Sequence, residues 1–179
     1  MINNSQIINK FISSAVSAGA AVEEIISSPE ELSNALLNII SGSKSIVMSK
    51  PQYISESLFE LFMKNAATVR QPDAGQLCSA EFGISDAFAG VARTGSVCIS
   101  IDSGLGSYVS LLPQSHIVVL ESKNIVARPR DVFDLHILNQ PIEKRGWIFI
   151  SGPSATADMG ELVRGAHGPG KLYIILLKD

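Results

Sequence analysis

Cysteine is almost missing from this chain: Cys78 and Cys98 are the only two, and no CxxC spacing links them. Two thiols fall short of the four ligands that an ordinary iron–sulfur cluster or structural zinc site takes, so the chain alone is expected to hold neither cluster nor metal. In a reducing compartment both read as buried thiols. Charge is sparse as well. Only 17% of the residues are charged, the 14 Lys and Arg are scattered without a run, and the net charge of −3 supplies no basic field. Nucleic acid is thereby excluded as a main partner. No apolar stretch reaches the roughly 20 residues that a membrane span needs. Met1 to Lys10 lack the basic-then-apolar order of a signal peptide, and a cytoplasmic location is the expectation. A dinucleotide fingerprint is also missing, since Gly104-Leu105-Gly106 has no third glycine at the required spacing. Any redox centre therefore belongs on a partner.

What the chain does have is aliphatic bulk. Hydrophobic residues make up 46% of its 179 positions, with a single Trp. A chain of this size suits one compact domain burying roughly 70% of its unfolded surface. Ile7, Ile8, Phe11, Ile12, Ala15 and Val16 fall at helical spacing, which predicts a helix within Ile2 to Ile26 with an adhesive face, ended or weakened near Gly19. Such a face must fold back on the body or dock on another chain. Ser28-Pro29-Glu30-Glu31 is a strong helix start, with Ser at the cap, Pro in the first turn and Glu three residues on. A third helix is predicted over Ser55 to Lys64, and a fourth from Arg128-Pro129-Arg130-Asp131 to about Leu138. Strands are predicted at Ser45–Ser49, Ile84–Arg93, Ser96–Ile101, His116–Glu121, Trp147–Ser151 and Leu172–Leu177. Continuous apolar strands alternating with helices imply an α/β fold with a mainly parallel sheet covered by helices. The turn at Thr94-Gly95 adds a local antiparallel pair.

The densest group of polar residues follows the strand Ile148-Phe149-Ile150. Ser151-Gly152-Pro153 breaks it, Ser154, Thr156 and Asp158 can each cap a helix, and Met159 to Arg164 is helix-compatible. A strand feeding a helix start through such a turn presents free N–H groups to a small volume, a generic place for an anion. One residue suffices for a cap; three alternate here. Gly152, Ser154 and Thr156 are therefore candidate ligand-binding residues for a small anionic metabolite, outside the carboxyl ends of the strands. Asp158 would repel that anion unless Arg93 or Arg164 offsets it. His167, bracketed by Gly165 and Gly168-Pro169, reads either as an acid–base or substrate-binding group or as a ring that pins its loop to a carbonyl. His167 and Asp158 are the candidate catalytic residues. Thr94, Gly95 and Ser96 either line the same cleft or form a hairpin turn that needs glycine. His116 reads as a structural, hydrogen-bonded residue, His136 as a helix-face residue, and Asp86 as a buried carboxylate or an exposed alternate. A Ser154–Asp158–His167 triad lacks the G-x-S-x-G elbow.

Three segments taken together carry a resemblance: Phe82 to Ser96 (FGISDAFAGVARTGS), Leu111 to Val119 (LLPQSHIVV), and Ser151 to Asp158 (SGPSATAD) with Gly165-Ala166-His167-Gly168-Pro169. In this order they resemble the lactate-utilization protein C family, also called the LUD domain, over roughly residues 45 to 179. The sequence departs from the family pattern at Arg93, where an acidic residue is usual, and at Ala155, where Arg is frequent. The resemblance implies a fold like that of sugar-phosphate isomerases and CoA transferases. It divides the chain into an N-terminal helical segment, residues 1–44, and a LUD-type α/β domain, residues 45–179, within one compact body. It further implies a subunit of a cytoplasmic system that oxidises lactate to pyruvate, beside partner proteins that carry the iron–sulfur clusters, with a homo-oligomer also open. A standalone enzyme acting on a sugar phosphate or CoA ester, and a non-catalytic assembly module docking through its N-terminal helix, are the other two readings.

Overall fold

The computed structural model describes residues 4–101, 105–134, 146–157 and 160–178. Its elements run α1 (Asn4–Ser17), β1 (Ala21–Ile26), α2 (Pro29–Ile40), β2 (Ile46–Met48), α3 (Glu60–Asn65), β3 (Thr68–Val69), α4 (Ala74–Ser79), β4 (Phe82–Asp86), β5 (Ala89–Val91), β6 (Ser96–Ile101), α5 (Gly106–Leu111), β7 (Ser115–Glu121), β8 (Ile125–Val126), β9 (Gly146–Ile150), β10 (Ala155–Thr156), β11 (Val163–Arg164) and β12 (Lys171–Lys178). Six strands form a wholly parallel sheet in the order β1-β12-β7-β4-β2-β3. Four more form a second sheet in the order β8-β5-β6-β9, in which β6 pairs antiparallel with both β5 and β9. The fold is thus the expected α/β class with a mainly parallel sheet, and the antiparallel pair lies at the predicted Thr94-Gly95 turn.

Alternation along the strands sorts side chains between two faces. Ile117, Val119, Ile175 and Leu177 pack on one face beneath Leu32 and Leu36 of α2 and Phe62 of α3. Val118, Leu120, Ile174 and Leu176 pack on the other, against Phe11 and Ala15 of α1 and Val97 and Ile99 of the second sheet. The predicted start of α2 is realised: Ser28 Oγ accepts the Glu31 N–H at 3.2 Å, and the helix closes at Ser41 with φ 46°.

Helix α1 folds back on the body of its own chain. Phe11 and Ala15 are fully buried, with Ile7, Ile8 and Ile12 packed around them. Two glycines make this possible. Gly95 (φ +66°) and Gly152 (φ +70°) adopt backbone angles that favour glycine, and a Cβ at either would collide with α1 or its end: Gly95 with the backbone of Ser14 and Ala15, Gly152 with the Ala18 carbonyl.

Several expectations are corrected. The first helix ends at Ser17, just before Gly19 as expected, but the rest of the Ile2–Ile26 stretch is not helical: Ala21–Ile26 pairs with β12 as an edge strand. Trp147–Ser151 is a strand, but in the second sheet rather than the parallel one. Ile84–Arg93 is two strands, β4 and β5, between which the chain crosses from one sheet to the other. Among the described residues no helix follows Ser154: Ala155–Thr156 pairs antiparallel with Val163–Arg164. Gly160 and the β-prone Leu162-Val163 suit a hairpin better than a helix.

Candidate functional site

The amino ends of β7 and β12 and the carboxyl end of β9 meet in one place. β9 runs antiparallel in the second sheet, so the turn that follows it is delivered to the amino edge of the parallel sheet rather than to its carboxyl edge. The His167 loop closes on the same edge. Ser154 N–H donates to the Pro169 carbonyl at 2.8 Å, Gly165 N–H to the Ser154 carbonyl at 3.0 Å, and Gly170 N–H to the Gln114 carbonyl at 2.9 Å. These bonds tie three loops together and occupy the Ser154 N–H, one of the groups expected to greet an anion.

Two adjoining cavities open there. The outer one, about 570 Å³, lies between Leu111–Gln114 and the 165–170 loop. The inner one, about 230 Å³, is walled by Ile148, Ile150, Pro153 and Leu172 and carries the polar groups of Ser110, Ser151, Ser154 and His116. His167 borders both.

The predicted site residues divide as follows. Gly152, Ser154 and His167 border the inner cavity. Thr94 and Ser96 reach it only through a hydroxyl chain, Thr94 Oγ1 to Ser96 Oγ and Ser96 Oγ to Ser151 Oγ, each 2.6 Å. Gly95 serves the approach of α1, as does Gly152. Thr156 lies on β10 opposite Val163 and borders neither cavity. Asp158 and His136 lie outside the described residues. Arg93 and Arg164 border neither cavity, and the Arg164 guanidinium lies near Gly19.

His116 is the buried, hydrogen-bonded residue that the sequence reading expected, and it also lines the inner cavity. Its ring is buried, Nε2 is 2.8 Å from Ser85 Oγ, and Nδ1 has no hydrogen-bond partner among the described residues. Burial pushes the imidazole down to about 3, so it is uncharged at neutral pH. The register explains the pairing: Gly83, His116 and Leu172 are aligned across β4, β7 and β12, and Ser85 is two residues along β4 on the same face as Gly83. Serine at 85 and histidine at 116 were legible as residues but not as neighbours, because only the sheet brings them together.

At the carboxyl edge the arrangement is different. Asp86, at the end of β4, accepts the consecutive N–H groups of Gln52, Tyr53 and Ile54 on one oxygen, at 2.7, 2.6 and 3.1 Å. Burial raises its carboxyl above the usual range, partly offset by these bonds. The usual ligand position of an open α/β sheet, beside the strands where the connections change direction, is here spanned by an internal contact. Asp86 is therefore the buried, hydrogen-bonded carboxylate of the two readings.

The LUD domain family model matches residues 8–177. Lactate utilization protein C of Bacillus subtilis (strain 168) is 29% identical over 154 residues, which is 78% of this chain and 64% of that protein. The protein of the same name from Bacillus pumilus is 36% identical over 95 residues, 50% of this chain and 39% of that one. In Shouchella clausii the identity is 38% over 104 residues, 56% of this chain and 45% of the relative. The chain thus spans about two-fifths to two-thirds of the length of these curated relatives. The crystal structure of a DUF162 family protein from Deinococcus radiodurans superimposes with a TM-score of 0.74 at 17% identity, covering 99% of this chain and 100% of that one. That likeness establishes a common fold.

Proposed function

The chain belongs to the LUD domain family, and on that premise we propose that it serves lactate utilization in the cytoplasm by binding a small carboxylate at the amino edge of its parallel sheet. The observation that carries this reading is the pair of adjoining cavities, both bordered by His167 and the inner one also by Gly152 and Ser154. The names of the relatives support the system, and the cavities support the site. The carboxylate lies where the two cavities adjoin, at the exposed His167 imidazole that borders both, with the Ser154 hydroxyl of the inner cavity able to donate to it. Iron–sulfur partner proteins supply the redox centres, and the chain holds the metabolite for them. Leu111 and Leu112 are exposed where they line the outer cavity, and Tyr108 of α5 is exposed as well, which favours a protein partner there over one docked on the apolar face of α1, already covered by the chain itself.

Calorimetry tests the proposal. Lactate, pyruvate, phosphate and a CoA ester are titrated into the chain and into Ser154→Ala and His167→Ala. Losing one hydrogen bond to a charged ligand lowers affinity roughly ten- to a hundredfold. Binding of a short carboxylate that is weakened in either variant is the expected result. Carboxylate binding unchanged in both folded variants, or binding of the CoA ester alone, would overturn it.

A further inference from the structure

One buried polar residue of the inner cavity's lining, His116, is on neither predicted loop. His116 is 1% exposed and borders the cavity; its Nε2 is engaged by Ser85, and its Nδ1 has no partner among the described residues. A buried polar group without a partner costs about 1–3 kcal/mol, and such groups are rare in folded proteins. Here the ring borders a space large enough for a small molecule. Among the described residues, the lining of this cavity contains no Lys, Arg, Asp or Glu. An ion lodged at the inner end would have no counter-charge, a costly arrangement. An uncharged hydroxyl or carbonyl oxygen would not incur that cost.

We infer that His116 Nδ1 is the inner contact of the site, and that it receives the 2-hydroxyl or 2-oxo oxygen of a short carboxylic acid whose carboxylate faces outward to His167. This rests on the proposed carboxylate site and specifies its ligand class. The neutral ring carries one proton. If Ser85 donates to Nε2, Nδ1–H donates to either oxygen type; if Nε2–H donates to Ser85, Nδ1 accepts and requires a hydroxyl. The aliphatic walls, Ile148, Ile150 and Leu172, accept a short alkyl chain. The cavity therefore distinguishes a 2-substituted acid from its plain counterpart through one buried atom.

The test compares lactate, pyruvate, propionate and the uncharged hydroxyacetone by calorimetry on wild type, His116→Gln and His116→Asn. Gln keeps an amide near the Nε2 position and loses Nδ1; Asn does the reverse. Wild type is expected to bind lactate or pyruvate about tenfold more tightly than propionate, the effect of one buried hydrogen bond. His116→Gln should lose that preference while still binding propionate, and His116→Asn should retain it. A readout independent of affinity is the imidazole nitrogen spectrum, which has three histidines to assign; only the His116 Nδ1 signal should move more with lactate than with propionate. Equal binding of lactate and propionate in wild type would overturn the inference and leave the carboxylate site standing. Binding of hydroxyacetone but of no acid, lost in His116→Gln, would uphold the His116 contact and overturn the carboxylate reading. Binding of none of the four overturns both.

Discussion

Burying His116 in its neutral form has a measurable consequence for acid stability. In the unfolded chain a histidine titrates near 6.5, whereas burial holds the folded imidazole at about 3. Between these values the unfolded state binds a proton that the folded state refuses. The stability associated with the neutral ring is therefore fully present above pH 6.5 and is lost as pH falls toward 3. Integrating that one-proton difference from pH 7 to pH 5 gives a loss of about 2 kcal/mol. Asp86 acts in the opposite sense. Its raised carboxyl favours the folded state below the unfolded value and loses that contribution as pH rises through the folded value. Because Asp86 is common to both proteins, it cancels when wild type is compared with His116→Gln. Urea denaturation at half-unit intervals between pH 7 and pH 5 provides the assay. Wild type should lose about 2 kcal/mol more than His116→Gln across that range, whatever the variant's absolute stability. Parallel stability curves would show that His116 takes up its proton in the folded state and would refute the buried neutral ring.

Two other variants probe the framework. Gly95→Ala should cost roughly 2–6 kcal/mol, from a disfavoured backbone angle together with the collision with α1. Gly42→Ala, also at positive φ (+79°) but with open space around it, should cost only the backbone share of about 1–3 kcal/mol; equal losses by urea denaturation would mean that α1 is not seated on the Thr94-Gly95 turn. Asp86→Ala removes the acceptor of three N–H groups and should destabilise by at least about 2 kcal/mol, while hydrogen exchange at Gln52, Tyr53 and Ile54 accelerates. Unchanged protection at those amides would contradict the Asp86 contact.

Local chemistry was legible in the sequence; the meeting of distant segments was not. Ser28-Pro29-Glu30-Glu31 specifies a helix start through bonds within four residues, and it forms as read. Asp73 and Gln76 form a reciprocal capping box at α4 that the same rule could have found. Trp147–Ser151 announces a strand, but β propensity does not say which sheet it joins. Ala21–Ile26 has apolar residues at 21, 22, 25 and 26, a spacing that a helix face also satisfies, and pairing with β12 decides the matter. Gly95 was legible as a turn residue and Gly152 as a strand breaker, but the close approach of α1 that both permit was not, because it joins segments far apart in the sequence. Ser154, Gly152 and His167 were found because they lie in compact motifs. His116 was assigned to structure alone, because its cavity is assembled from β7, β9, β12 and α5, and no one segment reveals it.

The central claim is that the ligand enters at the amino edge of the parallel sheet, where the Gly152 and His167 loops meet. Amide chemical-shift mapping of the isotope-labelled chain during a lactate titration tests this most directly. Shifts concentrated at Ser110, Ser151, Ser154 and the 165–170 loop, saturating together with one dissociation constant, are the expected result. Shifts concentrated instead around Ser49, Gln52 to Ile54 and Asp86, at the carboxyl edge, would contradict it.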